Sequence, residues 1–208
     1  MYTCDLCEKH SCTKGDIESS PTNCPCRELE KLEEIKSLYK DEELEIAHNS
    51  ALVESEGYCQ LTRIQEILDF AKRMNYKKIG LAFCLGLSKE AKIVGKILRH
   101  HGFQINSIIC KSGGVSKKFI GIEREKQVRP NCEFEAMCNP IGQAEFLNSQ
   151  KTDFNILLGL CVGHDTLFIK HSDAPITVLA VKDRVLGHNP LAAIYLAEGY
   201  YNKKLFNK

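Results

Sequence analysis

Apolar residues follow two different rhythms along this chain, and the change comes near residue 77. Before it the rhythm is helical. In RELEKLEEIKSLYK, Leu29, Leu32, Ile35 and Leu38 share one stripe, with Glu and Lys on the other side. A second amphipathic run extends from Asp41 to about Glu54, and the chain breaks near Gly57. Thr62 with Gln65 three residues later reads as a capping box. Behind it, Ile64, Ile67, Leu68 and Ala71 follow helical spacing.

After residue 77 the apolar residues gather into short runs: KKIGLAFC, FQINSIIC, FNILLGLC and ITVLAVKD. These runs have strand length without strict alternation, as expected of strands covered on both faces of a parallel sheet. Helical stretches are expected at Lys89–His101 and Pro140–Ser149. The pattern predicts an α/β fold, Rossmann-like and mostly parallel, preceded by a helical segment. Between the second run and the second helix lies a long connection, Lys111 to about Met137, with a short extra strand expected at Phe119–Ile122. Connections of that length in a compact domain usually carry function or stay unordered.

Residues 1–26 show neither rhythm. They are rich in Ser, Thr, Asn, Gly and Pro, and they hold five cysteines and one histidine. The expected organisation is therefore a Cys-rich knuckle at 1–26, a helical segment at 27–76 packing on the main domain, and an α/β domain at 77–208.

A net charge of +1, with both signs interspersed, gives no electrostatic footprint for nucleic acid or a membrane surface. No apolar run reaches the ~20 residues that span a bilayer, and the N-terminus lacks the basic start and apolar stretch of a secretory signal. A cytoplasmic protein is expected. There the 11 cysteines are better read as metal ligands or redox groups than as a disulfide framework.

Two groups of cysteines stand out. Cys4-x2-Cys7 is a metal-knuckle spacing, Cys12 follows, and Cys24 closes the set. Four thiolates at about 2.3 Å make a closed tetrahedral zinc site, whose binding would supply folding energy that so polar a segment lacks. His10 or Cys26 can substitute for one ligand. An iron–sulfur cluster is the alternative, although neither common ferredoxin spacing is present.

The second group sits at strand ends. Cys84, Cys110 and Cys161 each finish an apolar run, and parallel strands bring their C-termini to one edge, where ligands bind. Cys138 joins them if Asn139 caps a helix that opens on Pro140. His164, His188, Asp183 and Arg184 follow strands and line the same edge. This gives a candidate second site, metal or redox, with room for a small-molecule ligand. Against it, a single strand cysteine is usually core packing, and only the repetition raises the functional reading. Cys59 and Cys132 read as incidental, and Ser112-Gly113-Gly114 as a tight turn.

The N-terminal C-x2-C-x4-C followed by NCP, with MCNPIGQAEFLN, GLCVGHDTLFIKHSDAP and TVLAVKDRVLGHNP, resembles an uncharacterised prokaryotic family. Its members are labelled as domains of unknown function or as metal-binding proteins, the label resting on four N-terminal cysteines proposed to bind zinc. The resemblance implies Cys4, Cys7, Cys12 and Cys24 as ligands, with Cys26 an addition to the pattern. It implies no reaction.

Overall fold

The computed structural model describes residues 1–207. The chain divides into two compact units, 1–56 and 57–208. The first opens with three short 3-10 turns, Cys4–Leu6, Ser11–Lys14 and Pro25–Arg27. Two helices follow, α1 (Leu29–Lys36) and α2 (Asp41–Gly57). Only Ser11 and Ser20 are buried among residues 1–26, so that segment has no apolar core. Arg27 instead ties its loop together: Nη2 donates to the carbonyls of Glu18 (2.7 Å) and Ser20 (2.6 Å), and Nε to that of Pro21 (3.1 Å). The stripe expected on α1 is exposed at Leu29, Ile35 and Leu38.

The second unit is a mixed α/β fold, Rossmann-like, built on a four-stranded all-parallel sheet flanked by helices. Its elements are α3 (Arg63–Arg73), β1 (Lys78–Phe83), α4 (Ser88–His100), β2 (Gln104–Ile109), α5 (Pro140–Ser149), β3 (Phe154–Leu158), α6 (His164–His171), β4 (Ile176–Ala180), α7 (Leu191–Tyr195) and α8 (Asn202–Phe206). The strand order is β2-β1-β3-β4. α3 begins at the anticipated box: the Thr62 N–H donates to Gln65 Oε1 at 2.9 Å.

Alternation along the strands divides the core in two. Ile79, Leu81, Phe154, Ile156 and Leu158 pack with Ile67, Leu68 and Ala71 of α3 and with Ala91, Val94 and Leu98 of α4. Ala82 and Leu157, on the opposite face, pack with Ala144 and Leu147 of α5 and Phe168 of α6. Both faces are covered, which is why the strands read as unbroken apolar runs.

β1 is the middle of the fold. It pairs with β2 on one side and β3 on the other, all in the same direction. The chain therefore leaves β1 for one edge of the sheet and later returns to build the other side. Such a reversal opens a crevice at the carboxyl ends of the central strands, the usual ligand position in this architecture.

One local expectation is corrected. Phe119–Ile122 forms no strand; Lys117–Ile120 is a 3-10 turn that ends at Gly121, with φ of +71°. The Ser116 hydroxyl accepts the Lys118 N–H and starts the turn. Phe119 and Ile120 are exposed, so no neighbour rewards an extended conformation. Pairing in this connection falls instead on a single antiparallel bridge between Ser116 and Ala136.

Candidate functional site

The carboxyl ends of β1, β2 and β3 carry Cys84, Cys110 and Cys161. Backbone pairing continues past the strands: Cys84 N–H reaches Leu158 O at 3.1 Å, and Cys110 N–H reaches Phe83 O at 2.9 Å. The two cysteines thus end neighbouring strands one step beyond the pair Phe83 and Ile109.

Cys138 arrives by the long connection, which folds back on itself. Met137 N–H donates to Val115 O (2.8 Å), and Lys111 Nζ to Ala136 O (2.6 Å). A Lys117–Glu135 ion pair fastens the same two segments. Asn139 N–H then donates to Cys110 O at 2.7 Å, setting residues 138–139 against the end of β2. The Asn139 side chain accepts the Gly142 N–H at 2.9 Å, and Pro140 opens α5 as anticipated.

The result is a chain of contacts. The Cys110 thiol stands near Cys84 on one side and Cys138 on the other, and Cys138 stands near the imidazole of His164, the first residue of α6. Cys110 itself accepts the Leu85 N–H at 3.3 Å. On α5, Gln143 is fully buried. Its Nε2 donates to Ile108 O (2.9 Å) and Phe83 O (3.3 Å), holding the last turns of β1 and β2 together.

Charge follows from these contacts. The Cys110 thiol donates toward Cys84 and lowers it to about 5, helped by the Gly86 N–H and by the Lys182 ammonium, against the opposing effect of burial. Cys138 falls to about 3, through Cys110 first and His164 second, with Lys111 adding its charge. Cys110, kept protonated by Cys138 first and by Cys84 and burial after it, moves well above the usual thiol range. His164 is raised by its bond to Cys138, despite burial that works against its charge. These contacts favour the anion at Cys84 and Cys138, the protonated form at Cys110 and the charged form at His164, with the one Cys110 proton serving either neighbour. Thiolate is the nucleophilic and metal-binding form of cysteine.

Cys161 lies at the same edge but has a different partner: Arg184 Nη2 donates to its Sγ at 3.0 Å. His188 is not drawn into the cluster. Its Nδ1 accepts the Asp183 N–H at 3.1 Å, and Asp183 Oδ1 in turn accepts the N–H groups of Val185 and Leu186. Both residues serve the turn after β4. Lys111, Lys182 and Gln143 went unnoticed in the sequence. The two lysines were findable, each standing at or next to the end of an apolar run; Gln143 gave no signal.

In the first unit, Cys4, Cys7 and Cys24 line one small cavity with Asn23 and Pro25. The Cys24 thiol is pushed down by the Cys26 N–H. Cys26 is pushed up by its hydrogen bond to Cys24 and by the nearby sulfurs of Cys24, Cys12 and Cys4. His10 sits in a left-handed turn (φ 45°) and is exposed. Among the described residues, no group of three or more His, Cys, Asp or Glu side chains is arranged so as to hold a metal ion.

Residues 24–179 match the family described as protein of unknown function, DUF1847. The chain belongs to that family. An uncharacterized protein of Methanocaldococcus jannaschii is 48% identical over 202 residues, covering 97% of each chain. The DUF1847 match takes in Cys84, Cys110, Cys138, Cys161 and His164, together with Cys24 and Cys26. It begins after Cys4, Cys7 and Cys12. No described helix is long and apolar enough to cross a membrane.

Proposed function

We propose that this DUF1847 protein works through the thiols at the sheet edge, as a redox or nucleophilic thiolate centre. One observation carries the reading: the ends of β1 and β2 and the Asn139 N–H bond to Cys110 O gather Cys84, Cys110 and Cys138 at one edge, with His164 beside Cys138. A core cysteine needs no such company. Lys182 and Lys111 add positive charge beside the outer two sulfurs, which is the environment of reactive rather than inert cysteine.

The test is alkylation of the full-length reduced protein with iodoacetamide at pH 6.5, read cysteine by cysteine by peptide mass spectrometry. Cys138 is expected to react ahead of the exposed Cys59 and Cys132. Reaction of Cys138 no faster than those two would overturn the reading.

A second reading concerns residues 1–26, which we propose bind zinc as a structural ion. Its support is the convergence of Cys4, Cys7 and Cys24 on one cavity, with Cys12 and Cys26 as further nearby sulfurs, in a segment without an apolar core. The donor set suits zinc chemically, and Cys4, Cys7, Cys12 and Cys24 would hold it, with Cys26 as the exchangeable fifth thiol. Elemental analysis and an absorbance spectrum of anaerobically purified protein decide this. One zinc per chain without visible colour is expected, whereas iron with absorbance in the visible would assign a cluster instead.

A further inference from the structure

Cys84, Cys110 and Cys138 differ in access as well as in charge. Cys84 and Cys110 are buried, at 9% and 3% exposure, while Cys138 is only partly covered. A disulfide arriving from solvent therefore meets Cys138 first. Directly behind Cys138 is Cys110, fixed there by the Asn139 N–H bond to the Cys110 carbonyl. Behind Cys110 is Cys84, on the neighbouring strand and in register.

We infer that this edge carries out thiol–disulfide exchange on small disulfides, with Cys138 attacking, Cys110 resolving and Cys84 taking the proton of Cys110. The inference rests on the thiolate reading above and adds a substrate class and an order of steps. In the first step the Cys138 sulfur attacks one sulfur of R–S–S–R. A Cys138–S–S–R bond forms, the substrate bond breaks, and the departing sulfur leaves as RSH with the proton of the His164 imidazolium. In the second step Cys138, now capped as the mixed disulfide, no longer opposes charge on Cys110, and Cys110 passes its proton to the Cys84 sulfur and attacks Cys138. The mixed bond breaks, a Cys110–Cys138 disulfide forms, and the second RS⁻ takes a proton from water. Two electrons pass from the cysteine pair to the substrate, yielding two thiols. The reaction is the ordinary exchange route through a mixed disulfide, with Cys84 as an internal base.

The arrangement explains three features that packing alone leaves without a role. Cys110 lies between two sulfurs rather than beside one. His164 faces the more accessible thiol. Lys182 accompanies Cys84, where charge is present before transfer.

The experiment uses reduced full-length protein and 2-hydroxyethyl disulfide under anaerobic conditions, with timed alkylation and peptide mass spectrometry. The native chain is expected to yield a Cys110–Cys138 linked peptide. Cys110→Ala is expected to stop at the mixed disulfide on Cys138, which accumulates without closing to a linked peptide. Cys84→Ala is expected still to form that adduct and to close the link about tenfold more slowly than the native chain. Cys110→Ser serves as a second resolving-site variant, and thermal melts of all variants establish that each is folded. A Cys84–Cys110 link in place of Cys110–Cys138, or folded Cys110 variants that gather no adduct on Cys138, would overturn the inference. If Cys138 alkylates fast yet no link forms, exchange fails while the thiolate reading stands. If Cys138 alkylates no faster than Cys132, both fall.

Discussion

At the scale of single residues, Cys138 and His164 make the sharpest statement. An ordinary thiol titrates near 8.5, and each pH unit below that removes about nine-tenths of its thiolate. Cys138 is lowered to about 3, so its anion persists through the whole neutral and mildly acidic range. Its alkylation rate should stay nearly level from pH 8 to pH 5.5, where an unperturbed cysteine slows by about a hundredfold or more. His164→Asn removes the imidazolium, raises the Cys138 thiol and restores a downward slope at low pH; rates measured across that range check both. The sequence pointed to these residues by their neighbours. Asn139-Pro140 declared a helix start behind Cys138, and Gly163 placed His164 just past a strand. What it concealed was pairing. That Arg184 would meet Cys161, or that His188 would turn back to the Asp183 N–H, depends on loop paths that no periodicity records.

At the scale of elements, α5 and the central strand hold one another by close approach. A methyl group at Gly80 would overlap Asn155 Oδ1 and press Leu147 Cδ1 at 2.8 Å. Asn155 has no freedom to move aside, since Thr152 donates to its Oδ1 at 2.9 Å and its Nδ2 donates to Ser172 at 2.8 Å. Gly80→Ala should therefore destabilise by about 1–3 kcal/mol, visible as a lower urea midpoint. Gln143→Leu strips the carbonyls of Phe83 and Ile108 of their shared donor. A loss of about 1–3 kcal/mol is expected, with faster alkylation of Cys84 and Cys110 as the strand ends loosen. Strand existence and direction were legible because doubly covered strands must be apolar throughout. Asn155 and Gln143 were not, because a polar residue in such a run reads as surface unless its partners are known. α6 was missed for a related reason: it buries only Phe168, too little to create a stripe.

At the scale of the whole molecule, the two units depend on different forces. Residues 57–208 enclose a two-sided apolar core, whereas residues 1–26 bury two serines. If zinc organises the latter, a chelator should open that segment to limited proteolysis while a fragment containing β1–β4 resists; mass spectrometry of the fragments reads this directly. Cleavage at equal rates with and without chelator would count against zinc. The central position of β1 also bears on how the edge is assembled. As the chain leaves the ribosome, β1, α4 and β2 become available together and are near neighbours in sequence, so their pairing closes a short loop. β3 must wait for a further stretch that includes the whole of 111–137. Cys84 and Cys110 are therefore placed to meet first, Cys138 follows once residues 111–139 fold back on the end of β2, and His164 joins after β3. In a nascent chain exposed to oxidant, the first crosslink within reach would join Cys84 to Cys110, before Cys138 is in place.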